Sequence, residues 1–192
     1  ADSDTITVTT QVSNGSIDLA EGTDSLTLGD FANTATISNA ESILGGSLAD
    51  VITLRAAASN AVINLGSGAD ILTLGNFANV ATLGSVETVT GGTSTDIIAF
   101  NAQVSNGSID LGASSDSVTF GDFANTATVA NTETIIGGSA ADTITVSTQI
   151  SKAAVDLGDG ADSLTLGDFA NTATISNVET LIGGTSVDTI TL

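Results

Sequence analysis

One ten-residue unit occurs four times at a fixed interval, and this limits the fold more than any other feature. The unit begins Gly45-Gly46 and reaches Asp50 before a strand-like Val-Ile-Thr-Leu run. It returns as Gly91-Gly92 with Asp96, Gly137-Gly138 with Asp142, and Gly183-Gly184 with Asp188. Glycine reaches positive φ without steric cost, and aspartate suits the end of a turn. The polar/apolar alternation after each aspartate has the period of a half-buried strand.

The spacing is invariant. Asp4, Asp50, Asp96, Asp142 and Asp188 are each 46 residues apart. Phe31, Phe77, Phe123 and Phe169 keep the same interval, as do Glu41, Glu87, Glu133 and Glu179. A fixed period of this length is the signature of a solenoid or array. A weaker copy of the turn-strand unit lies inside each period, ending at Asp24, Asp70, Asp116 and Asp162. One period therefore reads as two coils, of 20 and 26 residues (24 − 4 and 50 − 24). The expected architecture is an all-β, right-handed parallel β-solenoid (β-roll or β-helix). Right-handedness follows from the crossover rule for parallel strands. Residues 1–192 read as one repeat domain, with periods 4–49, 50–95, 96–141 and 142–187 and the start of a fifth at 188–192.

Five strands are legible in the last period: 142–146, 154–157, 163–166, 173–175 and 179–182. Asn14-Gly15 and Asn106-Gly107 read as tight turns. Ile6, Leu26, Ile52 and Leu72, with their later counterparts, form an inward apolar column. Thr7, Thr27, Thr53, Thr73, Thr119, Thr145, Thr165 and Thr191 form the outward one. Asn33, Asn79, Asn125 and Asn171 suggest a side-chain amide ladder. The four glutamates read as a solvated face.

Charge narrows the function. Two basic residues stand against 22 acidic ones, a net charge of −20. Nucleic acid is excluded as a partner, because nothing here neutralises phosphates. Anionic membrane surfaces are disfavoured, and no apolar run is long enough for membrane insertion. No cysteine, histidine or tyrosine is present, and the acidic residues recur in every period rather than gathering at one place. A catalytic site would be expected to break the repeat, so the chain does not read as an enzyme.

The Gly-Gly-x-x-x-Asp-x-apolar motif resembles the glycine- and aspartate-rich nonapeptide of RTX proteins, whose coils form a calcium-binding β-roll. The fourth motif position departs from glycine, being Leu48, Ser94, Ala140 and Ser186. The resemblance implies calcium between the turns of successive coils and secretion by a type I route. The expected ligands are Asp4, Asp24, Asp50, Asp70, Asp96, Asp116, Asp142, Asp162 and Asp188, with the Gly45-Gly46, Gly91-Gly92, Gly137-Gly138 and Gly183-Gly184 turns. If stacking puts these aspartates in one column about 4.8 Å apart, neighbours repel by roughly 3.5 kcal/mol at an effective dielectric near 20. A hard cation, with six to eight oxygen ligands, would relieve this. Alternatively, each aspartate caps its own turn by accepting backbone N–H groups.

The resulting expectation is a secreted or cell-surface structural or adhesive module: a filament, surface layer, biofilm matrix or adhesin stalk. Its partners would be itself, flanking repeats or extracellular polysaccharide. A second reading is ice binding, because the Thr column, with Thr34-Ala35-Thr36 and its counterparts, looks like the T-x-T arrays of β-solenoid antifreeze proteins. Val51, Ile71 and Ile97 beside that column argue against a regular two-rank Thr grid.

Overall fold

A computed structural model describes residues 2–192. Strands alternate strictly between two parallel sheets. The first sheet holds β1 (Thr5–Thr7), β3 (Ser25–Thr27), β5 (Ser42–Leu44), β7 (Ser59–Asn64), β9 (Val80–Gly84), β11 (Ile97–Phe100), β13 (Ser117–Thr119), β15 (Thr134–Ile136), β17 (Ser151–Asp156), β19 (Thr172–Ser176) and β21 (Thr189–Thr191). The second holds β2 (Ser13–Asp18), β4 (Thr34–Ser38), β6 (Val51–Leu54), β8 (Ile71–Thr73), β10 (Thr88–Gly92), β12 (Ser105–Gly112), β14 (Thr126–Ala130), β16 (Thr143–Val146), β18 (Ser163–Leu166) and β20 (Thr180–Ile182). No helix occurs among the described residues. The expected all-β parallel solenoid is therefore what forms.

Each coil is two strands, one per sheet, and is shorter than the repeat suggested. Thr5 pairs with Ser25, Ser25 with Ser42, and Ser42 with Val62, steps of 20, 17 and 20 residues. One 46-residue period supplies five strands, hence two and a half coils rather than two. The odd count has a direct geometric consequence. A given motif position lies in one sheet in one period and in the other sheet in the next. Ile6 and Leu26 pair within the first sheet, whereas Ile52 and Leu72 pair within the second. The expected inward residues do face inward, but as two columns that meet across the core.

Between the sheets lies a continuous apolar layer, including Leu26, Ile37, Ile43, Ile52, Ile63, Leu72, Leu83 and Ile98, all fully buried. Phe100 and Phe120 stack within it, with ring centroids 5.7 Å apart. Burial alternates along the inner strands, as in β4, where Ala35 and Ile37 are buried and Thr34, Thr36 and Ser38 are half-exposed, because successive side chains point to opposite faces.

The Asn-Gly dipeptides are not hairpin turns. Asn14, Asn60, Asn106 and Lys152 sit at φ between 54° and 58° just inside β2, β7, β12 and β17. Each coincides with a register shift, Ser13/Gly15 being the first. These are β-bulges, where one extra residue adopts the left-handed conformation that Asn tolerates. The expected tight turns at Asn14-Gly15 and Asn106-Gly107 are therefore bulges within strands.

Candidate functional site: two polar ladders and a threonine face

The acidic residues and the asparagines form ladders along the two edges of the solenoid. On one edge, at the starts of β2, β4, β6, β8 and β10, the Val12 N–H donates to Asn33 Oδ1 at 3.0 Å, and the Asn33 N–H to Asp50 Oδ1 at 2.9 Å. The Asp50 N–H then donates to Asp70 Oδ1 at 2.7 Å, and the Asp70 N–H to Glu87 Oε2 at 2.9 Å. The opposite edge repeats the series 46 residues later, from Ala58 through Asn79, Asp96 and Asp116 to Glu133. The next ladder returns to the first edge, running from Val104 through Asn125, Asp142 and Asp162 to Glu179. At the two ends, Asp4–Asp24–Glu41 and Ile150–Asn171–Asp188 are partial ladders of the same kind. One period thus builds one complete ladder.

This corrects three expectations. The nine aspartates do not form one column; they divide between two edges and adjoin only in pairs. The asparagines do not stack on one another, because successive ones lie on opposite edges. Instead, Asn33 Nδ2 donates to Gly29 O, Phe31 O and Asp50 Oδ1 at 2.8 to 3.1 Å, holding the corner against the next coil. The glutamates are not a solvated face, since each takes the N–H of an aspartate one coil earlier. A signal for that role was present: Glu87 stands immediately before a strand, the position that Asp50 and Asp70 hold elsewhere.

The glycine pairs fit between coils. A Cβ on Gly45, Gly91 or Gly137 would fall on the carbonyl of Leu65, Leu111 or Leu157 in the coil above. A Cβ on Gly46, Gly138 or Gly184 would collide with the carbonyl of Gly29, Gly121 or Gly167, and one on Gly92 with the Cα and side chain of Asn76. A Cβ on Gly183 meets only Asp188. The Gly46, Gly92 and Gly138 carbonyls accept the N–H groups of Ser67, Ala113 and Asp159. Glycine is thus required by close backbone approach, and these carbonyls already serve the stacking.

Electrostatically the ladders are uneven. Asp50 is satisfied on both oxygens: Oδ1 takes two bonds from Asn33, and Oδ2 takes the Gly46 N–H at 3.3 Å. Asp70 is not, because its Oδ2 is buried without a hydrogen-bond partner. Oδ2 of Asp24, Asp96, Asp116 and Asp162 shares that condition. Burial pushes the Asp70 carboxyl up to about 6; the Asp50 N–H opposes this, while the Glu87 and Asp50 charges add to it. Burial likewise pushes Asp116 up to about 6 and raises Asp162. Among the described residues, no three acidic side chains gather at one point; the aspartates meet in pairs.

The outward threonines also rearrange. Thr7 and Thr27 lie on the first sheet, Thr53 and Thr73 on the second. Thr36 and Thr90 take the vacated neighbouring places: Thr36 pairs with Thr53, Thr53 with Thr73, and Thr73 with Thr90. Beside that unbroken rank runs Thr34–Val51–Ile71–Thr88. A second block repeats the pattern as Thr126–Thr143–Ser163–Thr180 beside Thr128–Thr145–Thr165–Ile182. The second sheet thus carries one unbroken threonine rank, and Val51 and Ile71 interrupt the rank beside it, as the sequence suggested. The strands connecting the first block, β5, β7, β9 and β11, present Ser42, Leu44, Val62, Asn64, Val80, Thr82, Ile97 and Ala99 on the opposite face, with one threonine in eight positions against six in eight.

Together these features define a parallel β-solenoid of stacked two-strand coils, of the β-roll type. Comparison of the chain with protein-family models, with curated proteins and with solved structures finds no match.

Proposed function

We propose that this chain is a structural or adhesive module of a secreted or cell-surface protein. The observation that carries this reading is the hydrogen-bonded ladder that each period rebuilds, on alternating edges. Two continuous sheets, an apolar core and capped edges favour a stiff rod whose length scales with repeat number. A net charge of −20 keeps such rods apart from one another in solution. No catalytic role is proposed. Sheet edges at the two ends suit further coils, from flanking repeats or a second copy. The test is mechanical: single-molecule stretching of the chain between handles should give stepwise unfolding at high force. Smooth extension at low force would overturn a load-bearing role.

A second reading rests on the partnerless Oδ2 atoms of Asp24, Asp70, Asp96, Asp116 and Asp162. We propose calcium as the ion that would take these oxygens, in line with the resemblance to RTX repeats. Asp50 with Asp70, and Asp96 with Asp116, would supply the carboxylates. Calcium binding to the folded state stabilises by mass action. Melting in calcium and in excess chelator decides the matter. A higher Tm in calcium, lost in an Asp96→Asn/Asp116→Asn chain, supports the ion; identical curves leave the ladders as self-sufficient caps.

A further inference from the structure

We propose that the outer face of the first sheet, along an aliphatic ridge from Leu44 to Ile97, is the surface on which two copies of this chain pair side by side.

The second period, 50–95, breaks the repeat on this face. Val62 stands where the other periods hold Ser16, Ser108 and Ala154, and Val80 where they hold Thr34, Thr126 and Thr172. Val62 lies across from Thr82 and so diagonal to Val80, which pairs with Ile97 on β11. Leu44 on β5 lies diagonal to Val62 in turn. Four successive strands of the sheet thus carry one oblique ridge, its side chains 36% to 51% exposed. Phe77, 43% exposed, stands at the corner that leads into β9. A contiguous exposed apolar patch marks an interaction surface.

Charge is withdrawn from the same place. Asn64, two residues beyond Val62 on β7, replaces the aspartate present at Asp18, Asp110 and Asp156. Asn76, beside Phe77, replaces Asp30, Asp122 and Asp168. Every acidic side chain left in the second period is buried or half-buried, whereas each other period exposes at least two. The one cation of the period, Arg55, is exposed at the corner before β7. Folding does not require these replacements, since the other periods build the same strands without them.

The rest of the chain says what such a surface suits. A basic partner would be held better with the aspartates in place. Their removal favours a partner that is itself acidic, and a second molecule of net charge −20 is such a partner. Two copies related by a twofold axis meet ridge to ridge, each bringing the same neutral patch, so like charges do not face each other across it. The second sheet has an aliphatic pair of its own, Val51–Ile71, but Asn64 lies on the first sheet and Asn76 at the corner leading into it. The ridge spans about 14 Å, three inter-strand steps of about 4.8 Å, which places the pair among weak, reversible interfaces.

Sedimentation velocity of the chain from roughly 5 to 500 μM, at low and high salt, tests this. Exchange between monomer and dimer is expected, with more dimer at high salt, because screening weakens the repulsion between two acidic rods. Val62→Ser/Val80→Thr installs residues that equivalent strands already use, and circular dichroism verifies that it folds. Its dissociation constant should rise at least about tenfold. Asn64→Asp/Asn76→Asp should weaken the dimer at low salt and much less at high salt. Val51→Thr/Ile71→Ser, on the second sheet, should leave it unchanged. A chain that stays monomeric at every concentration and salt overturns the proposal. So does a dimer lost in the Val51→Thr/Ile71→Ser chain instead, or association that none of the variants alters, which would assign the contact to the sheet ends. Stretching of single chains reads the mechanical role separately, so either idea can fail without the other.

Discussion

The backbone N–H of Asp50 donates to Oδ1 of Asp70 at 2.7 Å, across one coil and 20 residues of sequence. Oδ2 of the same Asp70 carboxyl is buried without a partner. The pair therefore combines a strong inter-coil bond with a desolvated charge, and Asp96 with Asp116 repeats it on the opposite edge.

Acid should stabilise the fold. Asp70 and Asp116 bind their protons near pH 6 when folded and near 3.8 when unfolded. Between these values the folded state holds more protons, so stability falls as pH rises through the window. Tm should rise on going from pH 7 to pH 5. The chain carrying Asp70→Asn and Asp116→Asn should show a distinctly smaller rise, because its amides do not titrate. An unchanged slope in that chain would remove these two carboxyls from the account.

Asn79 should be among the most sensitive polar positions. Its Oδ1 accepts the Ala58 N–H, and its Nδ2 reaches Gly75 O, Phe77 O and Asp96 Oδ1. Asn79→Ala leaves several buried groups unpaired, at about 1–3 kcal/mol each before relaxation. Urea denaturation should show a loss of about 3 kcal/mol. A loss below about 1 kcal/mol would show that water replaces the amide.

Gly91→Ala should cost about as much as the loss of Asn79, because its methyl falls on the Leu111 carbonyl and lies 2.7 Å from Asp96 Oδ2. Overpacking commonly costs about 1–3 kcal/mol, and rigid backbone on the receiving side favours the upper end. The exposed neighbour Thr95→Ala should change stability by less than about 0.5 kcal/mol.

Lys152 occupies the bulge place held by Asn14, Asn60 and Asn106, at φ 58°. A lysine gains nothing in the left-handed region, where asparagine hydrogen-bonds locally. Lys152→Asn should stabilise by about 0.5–1 kcal/mol in high salt, where loss of one cation matters little. Destabilisation there would mean that the lysine makes a compensating contact.

Much of the architecture was legible in the sequence. The Gly-Gly turns, the period-two alternation and five strands per period all appear in the fold, and Ser163–Leu166 has the expected bounds. The pairing was not legible, for a physical reason. Sequence similarity records which residues share a local environment, not which ones touch. Because five strands cannot divide evenly between two sheets, Asp24 and Asp50 look like neighbours in the repeat yet lie on opposite edges. The same parity hid the threonine rank: Thr36, Thr53 and Thr90 come from three different motifs and meet only through the register. Glu87 was misjudged because a glutamate before a strand looks like surface until its coil is placed.

The register itself is the claim on which the ladders, the glycine contacts and the threonine face depend. The chain has no cysteine, so engineered pairs report on it cleanly. Thr53 and Thr73 are adjacent across one coil of the second sheet, within the Cα separation a disulfide spans. Thr27 lies on the first sheet, with the apolar core between it and Thr53. Mild oxidation of Thr53→Cys/Thr73→Cys should close an intramolecular disulfide in nearly all molecules, and Thr27→Cys/Thr53→Cys should stay reduced. Efficient cross-linking of Thr27→Cys/Thr53→Cys would restore two coils per period, in which both pairs are neighbours, and contradict the structure described here.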